Sequence, residues 1–159
     1  MIFSIITSCF NSTKTLYRTF DCLSSLKSKD FEWILIDDCS TDDGATKSMI
    51  TSIADEAKFP VKYKFLEKNH FGARSTYEAC LLAEGRYCCI LDHDDELTVD
   101  SLDIVSSYLD LLSDDSVAGL TGRCNDRSNR LIGKKFPQSV FVGREGIVRF
   151  KWGVVDELF

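Results

Sequence analysis

Residues 31–38, FEWILIDD, form an almost continuously apolar run that ends abruptly in two carboxylates, Asp37 and Asp38. A short apolar run of this kind, rich in β-branched and aromatic residues, predicts a buried strand. The same pattern occurs at residues 2–7, where the polar stretch SCFN follows, and at residues 87–91, where DHDD follows. Each of these three predicted strands is therefore followed by polar side chains at its carboxyl end.

Amphipathic helical segments separate these strands. The predicted strands are residues 2–7, 31–37, 61–66, 87–91 and 117–123, and the predicted helices are residues 13–26, 45–58, 73–83 and 99–112. Residues 125–129 predict a turn that joins the fifth strand to the following segment as a hairpin. This alternation predicts an α/β fold with a mostly parallel central sheet, a three-layer α/β/α sandwich of Rossmann-like type. The length of 159 residues predicts a single domain.

Composition excludes several classes of protein. A net charge of −6, from 25 acidic and 19 basic residues, argues against a nucleic-acid binder, which normally carries a basic face. Seven cysteines, an odd number without a C-x-x-C pair, argue against a disulfide framework and a zinc site, and predict a reducing, cytoplasmic setting. We expect no signal peptide and no transmembrane segment, because the apolar opening lacks a basic leader and no apolar run is long enough.

The polar clusters predict a binding site at one edge of the sheet. They comprise residues 8–11 after the first strand, residues 37–40 after the second and residues 92–95 after the fourth. Ligands of open parallel sheets bind beyond the carboxyl ends of the strands, where these clusters fall. The sequence therefore places one site among all three clusters.

The carboxylates Asp92, Asp94 and Asp95 are oxygen ligands of the type that Mg²⁺ or Mn²⁺ prefers. A divalent cation relieves the repulsion between them and completes its coordination with waters and substrate phosphates. Departure of a phosphate or diphosphate is the chemistry that this arrangement favours. The alternative is that Asp94 or Asp95 caps a helix beginning near Val99, which would explain only one of the three.

The stretch DDCSTDDG (37–44) does not fit a calcium loop. With Gly44 as the sixth residue of such a loop, its first residue would be Cys39 and its twelfth Ile50, and neither is a usable ligand. We expect Ser40, Thr41 or Asp42 to form the turn that begins the next helix. Asp37 and Asp38 remain, and a carboxylate at a strand end can accept hydrogen bonds from a base or a ribose.

Other chemistries fit less well. A dinucleotide-binding G-x-G-x-x-G fingerprint and a P-loop are both absent from the sequence. The segment DHDDE (92–96) has the spacing of the D-x-D-x-T motif of haloacid-dehalogenase-type phosphatases, but Glu96 occupies the position that requires Thr or Val. With two histidines, His70 and His93, a serine or cysteine triad has few possible bases.

The order and spacing of residues 3–23, 31–44 and 83–98 resemble those of family 2 inverting glycosyltransferases with the A-type fold. The resemblance implies a nucleotide-diphospho-sugar transferase fold in which residues 1–112 form the nucleotide-sugar-binding half and residues 113–159 begin the acceptor half. It implies a nucleotide-diphosphate sugar as donor and a carbohydrate or lipid-linked molecule as acceptor, a pairing that allows peripheral association with a membrane. The chain resembles the N-terminal part of such an enzyme, cut before its end.

The resemblance also implies roles for individual residues. Ser8, Phe10 and Asn11 would line the nucleotide pocket, with Phe10 beside the base. Asp38, adjoined by Asp37, would bind the base. Asp92 and Asp94 would form the D-x-D element, with Asp94, helped by Asp95, as the main metal ligand. His93, between them, is included among the nucleotide-sugar-binding candidates, although we expect its side chain to project to the other side of the turn.

Two features depart from the family pattern. Counted back from Gly85, the positions where the family frequently has Asn and Gly are occupied by Tyr77 and Ala79. Arg74, in the first turn of the same helix, could reach a diphosphate, or could form a surface ion pair with Glu78, four residues further on.

In the family that the chain resembles, the catalytic base is a carboxylate that takes the acceptor proton and lies well downstream of the D-x-D element. The last residues, KWGVVDELF (151–159), resemble the stretch that precedes this base in the family, so we expect the base beyond Phe159. Asp156 and Glu157 are the late acidic candidates within the chain.

Two alternatives to a transferase stay open at the level of sequence. The chain could be a non-catalytic nucleotide-sugar-binding fragment that needs another segment or a partner to act. A nucleotidyltransferase with a related sheet also uses metal-bound carboxylates, but it usually has a glycine-rich basic loop after the first strand. Residues 8–15, SCFNSTKT, contain no glycine, which ranks this alternative lower.

Overall fold

A computed structural model of the protein describes residues 1–110, 119–120, 122–126 and 128–133. The chain divides into two compact units, Met1–Ile104 and Val105–Phe159. The boundary expected at residue 112, between a donor-binding half and an acceptor half, stays a prediction. In the described part of the chain, no helix combines the length and the apolar character needed to cross a bilayer.

The strands and helices follow the predicted order. They are β1 (Phe3–Cys9), α1 (Leu16–Ser25), β2 (Phe31–Asp37), α2 (Ala45–Glu56), β3 (Val61–Phe65), α3 (Ala73–Leu82), β4 (Tyr87–Ile90) and α4 (Ser101–Ser106). The predicted α/β class is confirmed, and the second strand occupies the predicted residues.

The four strands form one parallel sheet in the order β3-β2-β1-β4. β1 lies in the interior, where Phe3 is in register with Phe31 of β2 and with Tyr87 of β4. The chain adds β2 and β3 on one side of β1 and then crosses to the other side for β4. The carboxyl ends of β1 and β4 therefore flank the point where the strand order reverses, and this point is where sheets of this kind bind ligands.

Helices cover both faces of the sheet, as expected for three layers. On one face, Ala79 of α3 packs in a buried cluster with Ile6, Ile34 and Ile36. On the other face, the ring of Phe20 in α1 stacks on the fully buried Trp33, with ring centroids 6.4 Å apart. Because Trp33 and Ile34 are adjacent in β2, their side chains point to opposite faces and both are buried.

The expectation that β4 is fully buried was wrong. Its residues alternate between half-buried and exposed, and Ile90 is 66% exposed. In the described part of the chain, β4 lies at the edge of the sheet and pairs with β1 alone. An apolar run predicts that a strand faces apolar neighbours, but it does not predict which strand lies at the edge.

Residues 99–133 correspond to the sequence predictions in part. The predicted helix of residues 99–112 begins at Ser101 and its α-helical part ends at Ser106, and residues 111–112 lie outside the described residues. Residues 119, 120, 122 and 123 of the predicted fifth strand are not in a strand, and its other residues are not described. The predicted turn is confirmed, because Asn125 forms an antiparallel bridge with Leu131 and Asp126 N donates to Arg130 O at 2.8 Å.

A buried carboxylate, Glu32, connects several elements at the edge of the sheet where the strands begin, opposite their carboxyl ends. Its Oε1 accepts hydrogen bonds from Ser4 Oγ and from Glu84 N, each at 2.7 Å, and its Oε2 lies 2.8 Å from Lys62 Nζ. Gly85 fits beside it because a Cβ there would lie 2.6 Å from the backbone of β1. Burial alone would raise the pKa of Glu32, but the bonds from Lys62, Ser4 and the Glu84 amide outweigh burial and lower it.

We predict that Glu32→Gln lowers the free energy of unfolding at pH 7 by about 2 kcal/mol, because it breaks a buried hydrogen-bonded ion pair. A lowered pKa in the folded state stabilises the protein above the ordinary carboxyl pKa, and this stabilisation is lost as the pH falls through the folded-state pKa. Urea unfolding at pH 7 and near pH 3 should therefore show a smaller pH dependence for Glu32→Gln than for the wild type. The control is Glu84→Gln, which removes the exposed partner of the same lysine. An equal loss at pH 7 in both variants would contradict the assignment.

Candidate functional site

A pocket of about 500 Å³ lies at the carboxyl edge of the sheet. Residues that follow or end all four strands line it, and they are Ser8, Phe10, Asp38, Asn69, Phe71, Gly72, Asp92, His93 and Asp94. Six of the sequence-predicted site residues are thus brought together, namely Ser8, Phe10, Asp38, Asp92, His93 and Asp94. The pocket lies at the reversal of strand order between β1 and β4.

Asn11, which the family resemblance placed in the pocket lining, is not among the lining residues. Its backbone N donates to Ser40 Oγ at 2.9 Å, and its Oδ1 accepts a hydrogen bond from Thr41 N at 2.8 Å. These bonds tie the loop after β1 to the loop after β2. The backbone φ of Asn11 is +51°, a left-handed conformation that Asn tolerates better than most residues. Asn11 therefore fixes the path of the loop that carries Phe10.

The adjacent carboxylates Asp37 and Asp38 have different partners. Asp37 is fully buried and accepts hydrogen bonds from the backbone N and Oγ of Ser40, so it shapes the turn. Asp38 lines the pocket, and its two oxygens accept hydrogen bonds from His70 N at 2.9 Å and Gly72 N at 3.0 Å. Asp38 therefore forms part of the pocket wall and also anchors the loop between β3 and α3.

Asp42 supplies the expected turn at the start of α2. Its Oδ2 accepts hydrogen bonds from Thr46 Oγ1 at 2.6 Å and from Thr46 N at 3.1 Å. These bonds, the side-chain bond first, lower the pKa of Asp42. The prediction that Ser40, Thr41 or Asp42 would form the turn before this helix is confirmed for Asp42, while Gly44 occupies the cap position.

The acidic loop, residues 92–97, places Asp92 and Asp94 at the pocket, while Asp95 is not among the lining residues. Partial burial, and then the neighbouring Asp94 and Asp92 carboxylates, raise the pKa of Asp95. Helix α4 begins at Ser101, six residues beyond Asp95, which is too far for Asp94 or Asp95 to be its cap. The capping alternative therefore does not explain the cluster.

Two threonine hydroxyls hold the acidic loop in place. Thr19, in α1, bonds to the backbone of the loop, and Thr15, just before α1, bonds to the side chain of His93. Thr19 Oγ1 lies 2.9 Å from His93 O and 3.3 Å from Asp95 O, the two carbonyls that flank Asp94. Thr15 Oγ1 lies 2.8 Å from His93 Nδ1. The His93 side chain is thus tied to the start of α1.

The same face of α1 holds the loop at three further points. The Arg18 guanidinium donates to the Asp94 carbonyl, and its Nε lies 2.7 Å from Glu96 Oε1. Cys22 Sγ accepts a hydrogen bond from Leu97 N at 3.0 Å. These contacts fix the backbone of a segment whose carboxylates repel one another.

Arg74 is directed to an ion pair. Its Nη2 lies 3.1 Å from Glu78 Oε1, its side chain is 60% exposed, and it is not among the pocket-lining residues. Glu78 also pairs with Lys64 at 2.9 Å. Of the two sequence interpretations, this geometry corresponds to the ion pair with Glu78. The candidate bases Asp156 and Glu157 lie outside the described residues.

The carboxylates at the pocket fit one kind of metal site. Within the described residues, no group of three or more His, Cys, Asp or Glu side chains could hold a metal ion. Asp92 and Asp94 nevertheless place hard oxygen ligands at the wall of the pocket. The residues fit a divalent cation held by one or two carboxylates that completes its shell with substrate phosphates and water, and they do not fit one held by protein alone.

Two groups of residues at the site were missed by the sequence interpretation. Asn69, Phe71 and Gly72 follow β3, and the rule that placed the other clusters at the strand ends would have found them too. The polar face of α1, Thr15, Arg18, Thr19 and Cys22, has the helical spacing i, i+3, i+4, i+7. Only the position of β4 beside β1 shows what this face contacts.

The sequence profile described as Glycosyl transferase family 2 matches residues 4–155. Among curated proteins, the chain is 38% identical over 92 residues to the Escherichia coli UDP-Glc:alpha-D-GlcNAc-diphosphoundecaprenol beta-1,3-glucosyltransferase WfaP, covering 58% of this chain and 35% of WfaP. It is 32% identical over 122 residues to the Staphylococcus aureus poly(ribitol-phosphate) beta-N-acetylglucosaminyltransferase TarP, covering 75% of this chain and 36% of TarP. The chain spans about a third of the length of these relatives.

Among solved structures, residues 1–349 of Staphylococcus aureus TarS superpose with a TM-score of 0.69 at 27% identity, covering 89% of this chain and 40% of that one. The same part of TarS has been solved in complex with UDP-GlcNAc. The expected nucleotide-diphospho-sugar transferase fold is thus supported by the strand order and by this superposition. With a family profile that matches most of its length and a pocket built where the three family-like segments meet, this chain belongs to glycosyl transferase family 2.

Proposed function

We propose that the chain forms the donor-binding part of an inverting glycosyltransferase that moves a sugar from a nucleotide-diphosphate sugar to an acceptor hydroxyl. The main support for this proposal is the pocket at the reversal of strand order, which Asp92 and Asp94 line together with Phe10 and Asp38. TarS supports the donor class, because its complex contains UDP-GlcNAc. We therefore take a uridine diphosphate sugar as the donor to test first.

The charges of the pocket support a divalent cation. Asp38, Asp92 and Asp94 line it, and no lysine or arginine is among its described lining residues. These carboxylates would repel a diphosphate that bound alone. We propose that Asp94 and Asp92, with Asp95 adjoining, hold Mg²⁺ or Mn²⁺, which when bound neutralises charge on the phosphates of the leaving nucleoside diphosphate.

The side chains around the cation would orient the donor. Phe10, 40% exposed, offers an apolar surface beside the base, and Asp38 offers carboxylate oxygens to its N–H groups. Ser8, whose Oγ is 2.9 Å from Ser75 Oγ, fixes the wall between β1 and α3. The proposed role of these residues is to bind and orient the sugar donor. The general base that takes the proton of the acceptor hydroxyl is not among them.

Transfer with inversion requires a carboxylate that takes the proton of the acceptor hydroxyl as the oxygen attacks the anomeric carbon. The names of WfaP and TarP specify a lipid-linked sugar and a poly(ribitol-phosphate) as their acceptors. We propose a carbohydrate or lipid-linked acceptor of this kind, with the transfer in the cytoplasm and peripheral contact with a membrane where the acceptor is lipid-linked.

We predict that UDP binds more tightly with Mn²⁺ present than with EDTA, and that Asp94→Asn removes most of this gain. Loss of a carboxylate ligand should weaken UDP binding in Mn²⁺ by at least about tenfold. Isothermal titration of UDP into the wild type and the variant, with Mn²⁺ or with EDTA, measures the effect.

The matched control for Asp94→Asn is Asp55→Asn, which changes an exposed carboxylate on α2 that does not line the pocket. Binding of UDP that is independent of Mn²⁺, or no binding, would contradict the proposal. Metal-dependent binding without donor hydrolysis or sugar transfer would favour the non-catalytic alternative.

We also predict that Thr19→Val weakens UDP binding in Mn²⁺ several-fold while lowering the free energy of unfolding by only about 1 kcal/mol. Valine keeps the shape of threonine but removes the hydroxyl that bonds His93 O and Asp95 O, so the acidic loop loses its fixed position. Thr19→Ser should restore binding. Thr51→Val, which removes a hydroxyl on the exposed side of α2, is the control. Wild-type affinity in Thr19→Val would show that the loop does not need this contact.

A further inference from the structure

Phe71 is the most exposed large hydrophobic residue in the described part of the chain, with 92% of its surface accessible. It belongs to the loop of residues 66–72, which joins β3 to α3, and it is one of the residues that line the pocket. When a ligand covers a large apolar side chain that was exposed to water, the free energy of the system falls. Because Phe71 lines the pocket, a ligand bound in the pocket can cover its ring.

The loop holds Phe71 in this position by an unfavourable backbone conformation. Its φ is +57°, in the left-handed region that bulky residues avoid. Phe71 N donates to Asn69 Oδ1 at 2.7 Å, and Ala73 N donates to Phe71 O at 3.0 Å. These local bonds support the conformation, and strained residues of this kind concentrate at ligand-binding sites.

Asp38 connects the loop to the base-binding part of the pocket. Its two carboxylate oxygens accept hydrogen bonds from His70 N and Gly72 N, the two residues that flank Phe71. Each of these oxygens has a further lone pair for a ligand. A base that hydrogen-bonds to Asp38 therefore lies beside the segment that carries the phenyl ring, and Phe10 lines the same pocket from the loop after β1.

We infer that Phe71 is a further donor-binding residue that packs its ring on the nucleotide base, and that it forms, with Phe10, a pair of aromatic contacts for the base. This inference rests on the proposed function, because it assigns a further contact within the same site. Stacking is available to any base and is insensitive to charge, so Phe71 contributes affinity for the nucleoside and not for the diphosphate.

The test compares UDP and inorganic diphosphate binding, in saturating Mn²⁺, to the wild type, Phe71→Asn and Phe71→Tyr. Asparagine tolerates the left-handed backbone, so the loop keeps its path while the ring is removed. We expect Phe71→Asn to weaken UDP binding by about tenfold and to leave diphosphate binding unchanged. Phe71→Tyr, which keeps the ring, should bind UDP as the wild type does.

The matched control is Tyr108→Asn, which removes an exposed aromatic ring from the segment after α4 that does not line the pocket. It should leave UDP binding unchanged, and thermal unfolding should confirm that Phe71→Asn folds as stably as the wild type. Wild-type affinity for UDP in Phe71→Asn would overturn the inference, as would an equal loss of UDP and diphosphate binding. If the wild type itself binds no UDP, the proposed function falls first and this inference falls with it.

Discussion

The parallel pairing of β1 with β2 on one side and β4 on the other is the constraint on which the site depends. In this register, Cys9 pairs with Asp37 and Ile6 pairs with Ile90, so the loops that follow the three strands leave the sheet at the same edge. Slipping one strand by a single residue would turn its apolar side chains to the opposite face. Burial of the core therefore also fixes where the polar residues of the pocket lie.

The acidic loop shows how a fold can hold like charges together. Hydrogen bonds from Thr19 and Arg18 to backbone carbonyls, and one from Leu97 N to Cys22 Sγ, hold the backbone of the loop. Asp92 and Asp94 remain at the pocket. Because helix α1 contacts the backbone of the loop and the Glu96 side chain, the carboxylates of Asp92 and Asp94 stay available to a cation. The arrangement is therefore one in which the binding groups are oriented before the ligand arrives, and this lowers the ordering that binding requires.

The sequence predicted the order of the elements well, because apolar runs and amphipathic spacing reflect burial within each element. It also placed Asp38, Asp92 and Asp94 at one edge, since parallel strands share their carboxyl ends. The strand pattern alone did not distinguish Asp37 from Asp38, and only the family resemblance assigned the base to Asp38. In the structure, hydrogen bonds from Ser40 to Asp37, and from His70 and Gly72 to Asp38, separate their roles. The exposure of β4 and the hydrogen bonds between α1 and the acidic loop both depend on strand order. Local sequence patterns do not predict strand order.

We propose that a divalent cation and a nucleoside diphosphate occupy the pocket together, each completing the binding site of the other. Electron paramagnetic resonance of Mn²⁺ measures this directly, because the signal of the free ion is lost on binding. We expect a weak loss of signal with the protein alone and a much larger loss when UDP is added, beyond the loss that UDP causes without protein. Equal binding of Mn²⁺ with and without UDP would contradict the proposal.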